Sequence, residues 1–133
     1  MTVYLDASAL VKLAAPEEET EAVRAFLAAH REQATSVITL VEVRRAVARR
    51  PGVAPGRVDA VLGRTIVLAL EQRTIEEAAT IRPATLRTLD AIHLASAAQL
   101  GEDLEAFVTF DRRQAEAAPS LGMPVASPGA GQR

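Results

Sequence analysis

The chain has 133 residues, the length of one domain with a single core, and at 49% hydrophobic and 24% charged it is not a disordered segment. It contains no cysteine and only two histidines, His30 and His93, which excludes a disulfide scaffold, a thiolate zinc site, a thiol nucleophile and a histidine-rich metal centre. The net charge of −2, from 15 basic and 17 acidic residues, does not by itself announce a nucleic-acid binder.

In chain order, residues 2–5 read as a β-prone run ending at Asp6. Ser8 is placed to cap a helix that runs to about Leu13 and stops at Pro16. The acidic run 17–21 opens a second helix, where carboxylates suit the positive end of the dipole. In it Ala22, Val23, Phe26, Leu27 and His30 recur at helical spacing as an inward stripe. Residues 35–38 read as a second strand and residues 39–50 as a helix ended by Pro51 and Gly52. A short helix follows over 55–62, then a β-branched third strand over 65–70. Thr74 is expected to cap a helix to residue 82, and Thr88 one that reaches Leu100 and stops at Gly101. Residues 106–109 form the fourth strand, 112–118 a short helix, and 123–126 an edge strand.

Short apolar strands alternating with helices imply βαβ units: an α/β fold with a central, mostly parallel sheet of four to five strands. One domain is expected over residues 1–126, followed by a Pro/Gly-rich flexible tail over 127–133. No stretch approaches the roughly 20 apolar residues that span a bilayer. The apolar run 7–15 is broken by Lys12 and has no basic leader before it. Together with the missing cysteines, this predicts a cytoplasmic protein with no membrane partner.

Ligands of open α/β sheets bind outside the carboxyl ends of the strands. Asp6 ends the first strand, Glu42 lies in the opening turn of the helix after the second, and Asp111 follows the fourth. Asp90 opens the helix before strand four and joins the other three only if that helix start points to the same edge. Each acid alone has a structural reading as a cap, a turn residue or a dipole partner. Together they would repel, by about 4 kcal/mol for a pair ~4 Å apart at an effective dielectric near 20. Protonation of one member or a bound hard cation relieves this. An all-oxygen donor set suits Mg²⁺ or Mn²⁺, which can activate water and clamp the oxygens of a phosphodiester.

With these residues in view the sequence resembles the PIN-domain ribonucleases, and within them the VapC-type toxins of bacterial toxin–antitoxin systems. The resemblance rests on Tyr4-Leu-Asp-Ala-Ser-Ala-Leu-Val-Lys-Leu13, on Thr39-Leu-Val-Glu-Val43, most specifically on Leu89-Asp-Ala-Ile-His-Leu-Ala95, and on Val108-Thr-Phe-Asp-Arg-Arg113. It covers nearly the whole chain in order. It implies a PIN-like three-layer α/β/α fold and a divalent-metal-dependent endoribonuclease that inhibits translation and is neutralised by a cognate antitoxin. It also implies products with 5′-phosphate and 3′-hydroxyl ends, and a homodimer. By the same resemblance Asp6, Glu42, Asp90 and Asp111 form the acidic, metal-binding site. The family varies most at the last of these.

Around the acids, Ser8 and Thr109 could hold a metal-bound water or a phosphate, and Glu116 is a fifth acidic candidate. Arg45, Arg49, Arg87 and Arg112 are candidate contacts to RNA phosphates. Lys12 braces the acids, touches phosphate or makes a surface ion pair. His93 reads as a buried, hydrogen-bonded residue more readily than as a general acid. The stripe of the second helix, with residues 10–13, is either core or a groove for the antitoxin. Two other functional classes fit the same residues: a catalytically silent PIN-like binding or scaffold module, and a nuclease acting on DNA. A haloacid-dehalogenase-type phosphotransferase would want an Asp where Ser8 stands.

Overall fold

The computed structural model describes residues 1–30 and 32–131. Five strands, β1 (Thr2–Leu5), β2 (Glu32–Ser36), β3 (Ile66–Leu68), β4 (Leu104–Val108) and β5 (Val125–Ala126), pair in the order β3-β2-β1-β4-β5. Every pairing is parallel. Among the described residues seven α-helices connect them: α1 (Ala7–Ala14), α2 (Thr20–Ala28), α3 (Val37–Ala48), α4 (Pro55–Leu62), α5 (Gln72–Thr80), α6 (Thr88–Ala98) and α7 (Arg112–Ala117).

Alternation along the strands sorts the core into two layers. Val3, Leu5, Ala106 and Val108 point to one face and pack with Leu10, Val23, Val43 and Val58 of α1 to α4. Tyr4 and Phe107 point to the other and pack with Leu94 and Ala97 of α6, Ala117 of α7 and Met123. α5 lies against α6. Parallel crossovers keep one hand. The chain therefore lays α1 to α4 on one face as it builds outward from β1 through β2 to β3. It lays α5 to α7 on the other face once it crosses to β4 and β5. The α/β/α layering follows, and the strand order reverses at the β1–β4 pair.

The structure shifts several boundaries. β2 ends at Ser36, and Val37 and Ile38 are already helical. Ser36 Oγ accepts the Ile38 N–H at 3.3 Å and starts α3, so the β-branched pair Val37 and Ile38, expected to end the strand, begins the helix instead. Asp6, and not Ser8, caps α1, with its Oδ1 accepting the Ala9 N–H at 3.0 Å. Thr74 is buried inside α5, and Thr88 is the first residue of α6, with Arg87 in the cap position before it. α2 begins only at Thr20, because the Thr20 hydroxyl is tied to the Lys12 carbonyl at 2.7 Å. β3 is a three-residue edge strand with Ile66 and Val67 exposed.

Ser127 Oγ donates to the Thr109 carbonyl at 2.6 Å. Gly129, at φ +85°, lies so close to α2 that an added Cβ would stand 2.8 Å from Ala22 Cβ. The last two residues of the segment expected to be flexible, Gln132 and Arg133, lie outside the described residues. Among the described residues no helix is long and apolar enough to cross a membrane.

Candidate active site

The β1–β4 crevice is the topological switch point of the sheet, the place where open α/β folds bind ligands. A cavity of about 410 Å³ lies there, lined by Asp6, Ser8, Glu42, Arg87, Asp90, His93, Asp111, Arg113 and Gln114 among others. All four expected acids therefore reach one cavity. The open question about α6 is answered: its first turn brings Asp90 to the carboxyl edge.

Each acid is held by its own donors. Asp6 is 1% exposed. Its Oδ1 accepts the Ser8 hydroxyl at 2.6 Å as well as the Ala9 N–H, and its Oδ2 accepts the Thr109 hydroxyl at 2.5 Å. Burial pushes the Asp6 carboxyl above the usual carboxylate range, and these three hydrogen bonds only partly offset it. Asp90 Oδ1 accepts from Gln114 Nε2 at 2.9 Å. Glu42 Oε1 meets His93 Nε2 at 2.6 Å. Asp111 Oδ1 caps α7 by accepting the Gln114 N–H at 3.1 Å, and its own N–H donates to Thr109 Oγ1 at 2.9 Å.

Asp90 Oδ2 is buried and has no hydrogen-bond partner. Burial of a carboxylate oxygen without a donor costs about 1–3 kcal/mol or more unless a cation or proton meets it. That orphaned oxygen, on a cavity whose acids are all oxygen donors, fits a hard divalent ion. The acids share the cavity without converging on one point: among the described residues no three His, Asp or Glu side chains stand as a ready-made metal-binding group.

The supporting residues divide. Ser8 and Thr109 serve Asp6 directly, and Ser8 Oγ also accepts the Phe110 N–H at 2.8 Å. Glu116 lies apart, on a separate cavity lined by Pro83, Leu86, Arg113 and Ser120. Arg87 lines the acid cavity. Arg113 also lines it, and Arg112, which does not, is exposed beside it. Arg45, Arg49 and Arg50 line an adjoining cleft of about 710 Å³ that shares Ala7, Ser8, Glu42 and Leu89 with the acid cavity.

Lys12 is not a surface residue. Its Nζ binds Glu17 at 2.8 Å and Glu19 at 2.9 Å and lies 4.5 Å from the centre of the Phe110 ring. It ties α1 to the loop before α2 rather than bracing the acids themselves. Sequence reasoning missed Gln114, whose only signal was its position three residues after Asp111 in the first turn of α7. It also missed Tyr4, whose hydroxyl lies 2.7 Å from His93 Nδ1.

A parallel sheet with its acids gathered at the switch point defines an α/β domain of the PIN class. The chain matches the PIN-domain family over residues 3–119 and belongs to it. It is 46% identical to the ribonuclease VapC47 of Mycobacterium tuberculosis, over 96% of this chain and 98% of that protein. It is 40% identical to the ribonuclease VapC46 of the same species, over 95% and 97%. Among solved structures, a toxin–antitoxin complex from Klebsiella pneumoniae shares the fold with a TM-score of 0.72 at 23% identity, covering 95% of this chain and 97% of that one.

Proposed function

We propose that the chain is a divalent-metal-dependent endoribonuclease and the toxin of a toxin–antitoxin pair, working in the cytoplasm. The observation that carries this reading is the gathering of Asp6, Glu42, Asp90 and Asp111 on one cavity, with a buried Asp90 oxygen left without a partner. Relatives at 40–46% identity over nearly the full length that are named ribonucleases support RNA as the substrate. Mg²⁺ or Mn²⁺ held by these carboxylates supplies activation of water and neutralisation of charge on the phosphodiester.

The protein's own residues do the rest. Ser8 and Thr109 hold Asp6 in one rotamer, Gln114 holds Asp90, and Asp111 is fixed through α7. Arg87 and Arg113 on the cavity, with Arg45, Arg49 and Arg50 along the adjoining cleft, offset the phosphate charge of a bound strand and set its path. With few aromatics nearby, binding runs through the backbone rather than base stacking.

The antitoxin would lie on the face of α1, α2 and α4. There Leu13, Leu27, Ala60 and Val61 line a cleft of about 520 Å³ rimmed by Arg24, Arg57 and Arg64. Leu10 and Val23, from the same stripes, are core instead. Apolar walls with a basic rim suit a segment that is apolar with acidic flanks.

The test is cleavage of total RNA by purified protein, with 5′-end mapping. Cleavage is expected to stop on chelation and to return with Mg²⁺ or Mn²⁺. Asp6→Asn and Asp90→Asn are expected to lose at least about 100-fold in rate, since each removes a charge that only the carboxylate supplies. Cleavage of DNA but not RNA, or cleavage indifferent to both substitutions, would sink the reading.

A further inference from the structure

A line of hydrogen bonds runs from the backbone of β2 to Glu42 through two residues that no step above uses. The Ser36 N–H donates to the Tyr4 hydroxyl oxygen at 3.2 Å. The Tyr4 hydroxyl lies 2.7 Å from His93 Nδ1, and His93 Nε2 lies 2.6 Å from Glu42 Oε1. Tyr4 is fully buried and His93 is 1% exposed, while the Glu42 side chain, at 24%, opens to the cavity. The Tyr4 ring is stacked on Phe107 at 5.3 Å and meets the imidazole edge-on at 5.9 Å, so neither ring is free to turn.

The chemistry of the three groups sets the direction of the chain. The Tyr4 oxygen already accepts from Ser36, so its one proton is free to point at His93 Nδ1. Tyr4 is fully buried, and a phenol keeps its proton at neutral pH. A ring nitrogen that accepts cannot also carry a proton, so the imidazole proton resides on Nε2 and faces the Glu42 carboxylate. The opposite tautomer would set a lone pair against that carboxylate.

We propose that Tyr4 and His93 are positioning residues of this nuclease: Tyr4 locks His93 as the Nε2–H tautomer, and that N–H holds the Glu42 carboxylate in its working rotamer at the cavity. The proposal rests on the reading of Glu42 as a site acid. The arrangement is the carboxylate–imidazole pairing that supports ligands in other metal sites, with the imidazole here outside the ligand set and the carboxylate within it. It also gives a reason for a histidine buried in a helix as small-chained as α6: both ring nitrogens find partners there, Nδ1 at Tyr4 and Nε2 at Glu42.

The first measurement needs neither cation nor substrate. Long-range ¹H–¹⁵N spectra of the metal-free wild-type protein, in which only His30 and His93 contribute, are expected to show His93 with its proton on Nε2. A proton on Nδ1, or on both nitrogens, at neutral pH overturns the proposal. In Tyr4→Phe the Nε2–H signature is expected to give way to a mixture of tautomers, with kcat for RNA cleavage falling about tenfold and KM little changed. His93→Gln, which keeps a donor at the ε position, is expected to retain more activity than His93→Leu, and adding Tyr4→Phe to His93→Gln is expected to cost nothing further. Full additivity of Tyr4→Phe in both backgrounds would mean that Tyr4 acts by packing, and it overturns the tautomer lock. Unimpaired cleavage by Glu42→Gln would instead overturn the role of Glu42 in the reaction and leave the tautomer result standing.

Discussion

Thr109 Oγ1 donates to Asp6 Oδ2 at 2.5 Å, and the same oxygen accepts the Asp111 N–H at 2.9 Å. One hydroxyl at the end of β4 thus fixes both the acid that follows β1 and the backbone of the acid that follows β4. Thr109→Val keeps the β-branched shape but leaves the Asp111 N–H without its acceptor, at a cost of about 1–3 kcal/mol. The expected outcome is a lower melting temperature and a cleavage rate reduced about tenfold or more. Wild-type values of both would show that the hydroxyl is incidental.

Gln114 joins two acids, since its side chain donates to Asp90 and its backbone N–H to Asp111. Gln114→Ala removes only the first contact and leaves a second Asp90 oxygen unpartnered. Calorimetric titration with Mn²⁺ is expected to show affinity weakened by about 10–100-fold, with the circular dichroism of the wild type. Gln114→Glu, which adds a third carboxylate beside Asp90, is expected to bind the ion but release its hold on Asp90, so that rate falls more than affinity.

Asp6 trades stability for its role. Its folded value is raised, so the folded protein holds the Asp6 proton more tightly than the unfolded chain does. The associated stabilisation is full below the ordinary value of 3.8 and is lost as pH rises through the folded value. At pH 7 the metal-free protein therefore carries the cost of a buried charge, which Asn does not. Asp6→Asn in a chelator is expected to melt above wild type at pH 7, with the difference shrinking toward pH 3.8. A variant that melts lower across that range would show that the carboxylate is a net stabiliser even without a cation.

Lys12 supports a different prediction. Burial pulls its ammonium down, but the hydrogen bonds and charges of Glu17 and Glu19 outweigh that and hold it above 10.5. Burial likewise pushes Glu17 up, and Lys12 and Arg50 outweigh it and hold it below 4.5. The Glu17 contribution is present above 4.5 and lost as pH falls through the lower folded value; the Lys12 contribution is lost only on the alkaline side, above 10.5. Lys12→Met removes the ammonium from buried Glu19 and from Glu17, which keeps only Arg50 as its cation. Urea unfolding at pH 7 is expected to show a loss of about 3 kcal/mol, and a smaller loss well below pH 4.5. A loss that is the same at both pH values would assign the effect to packing against Phe110.

The acids were legible because their positions are dictated by the topology. Asp6, Glu42 and Asp111 follow strand ends, and in an all-parallel sheet those ends share an edge. Asp90 needed the structure, since the direction of α6 follows from a crossover and not from its own residues. The residues that hold the acids were less legible. Tyr4 looks like one more apolar strand residue, and only the alternation that puts it opposite Val3 and Leu5 hints that its hydroxyl needs a partner. Gln114 gives only its place three residues after Asp111. Two of the boundary errors share a cause: caps compete with propensity. Ser36 turns a β-branched run into a helix, and Asp6 takes the cap that Ser8 could have filled, freeing the Ser8 hydroxyl to serve Asp6 in turn.

The central place of β1 has a consequence for biosynthesis. The hydroxyl of Thr109 and the carboxylate of Asp6 are separated by 103 residues, and β1 cannot be enclosed on its second side until β4 has been synthesised and has docked. Such long-range closure is slow compared with helix formation. A nascent chain therefore carries Asp6 and Glu42 early but gathers all four acids at the cavity only after β4 has been made and has docked. A partner that restrains the protein has until then to arrive.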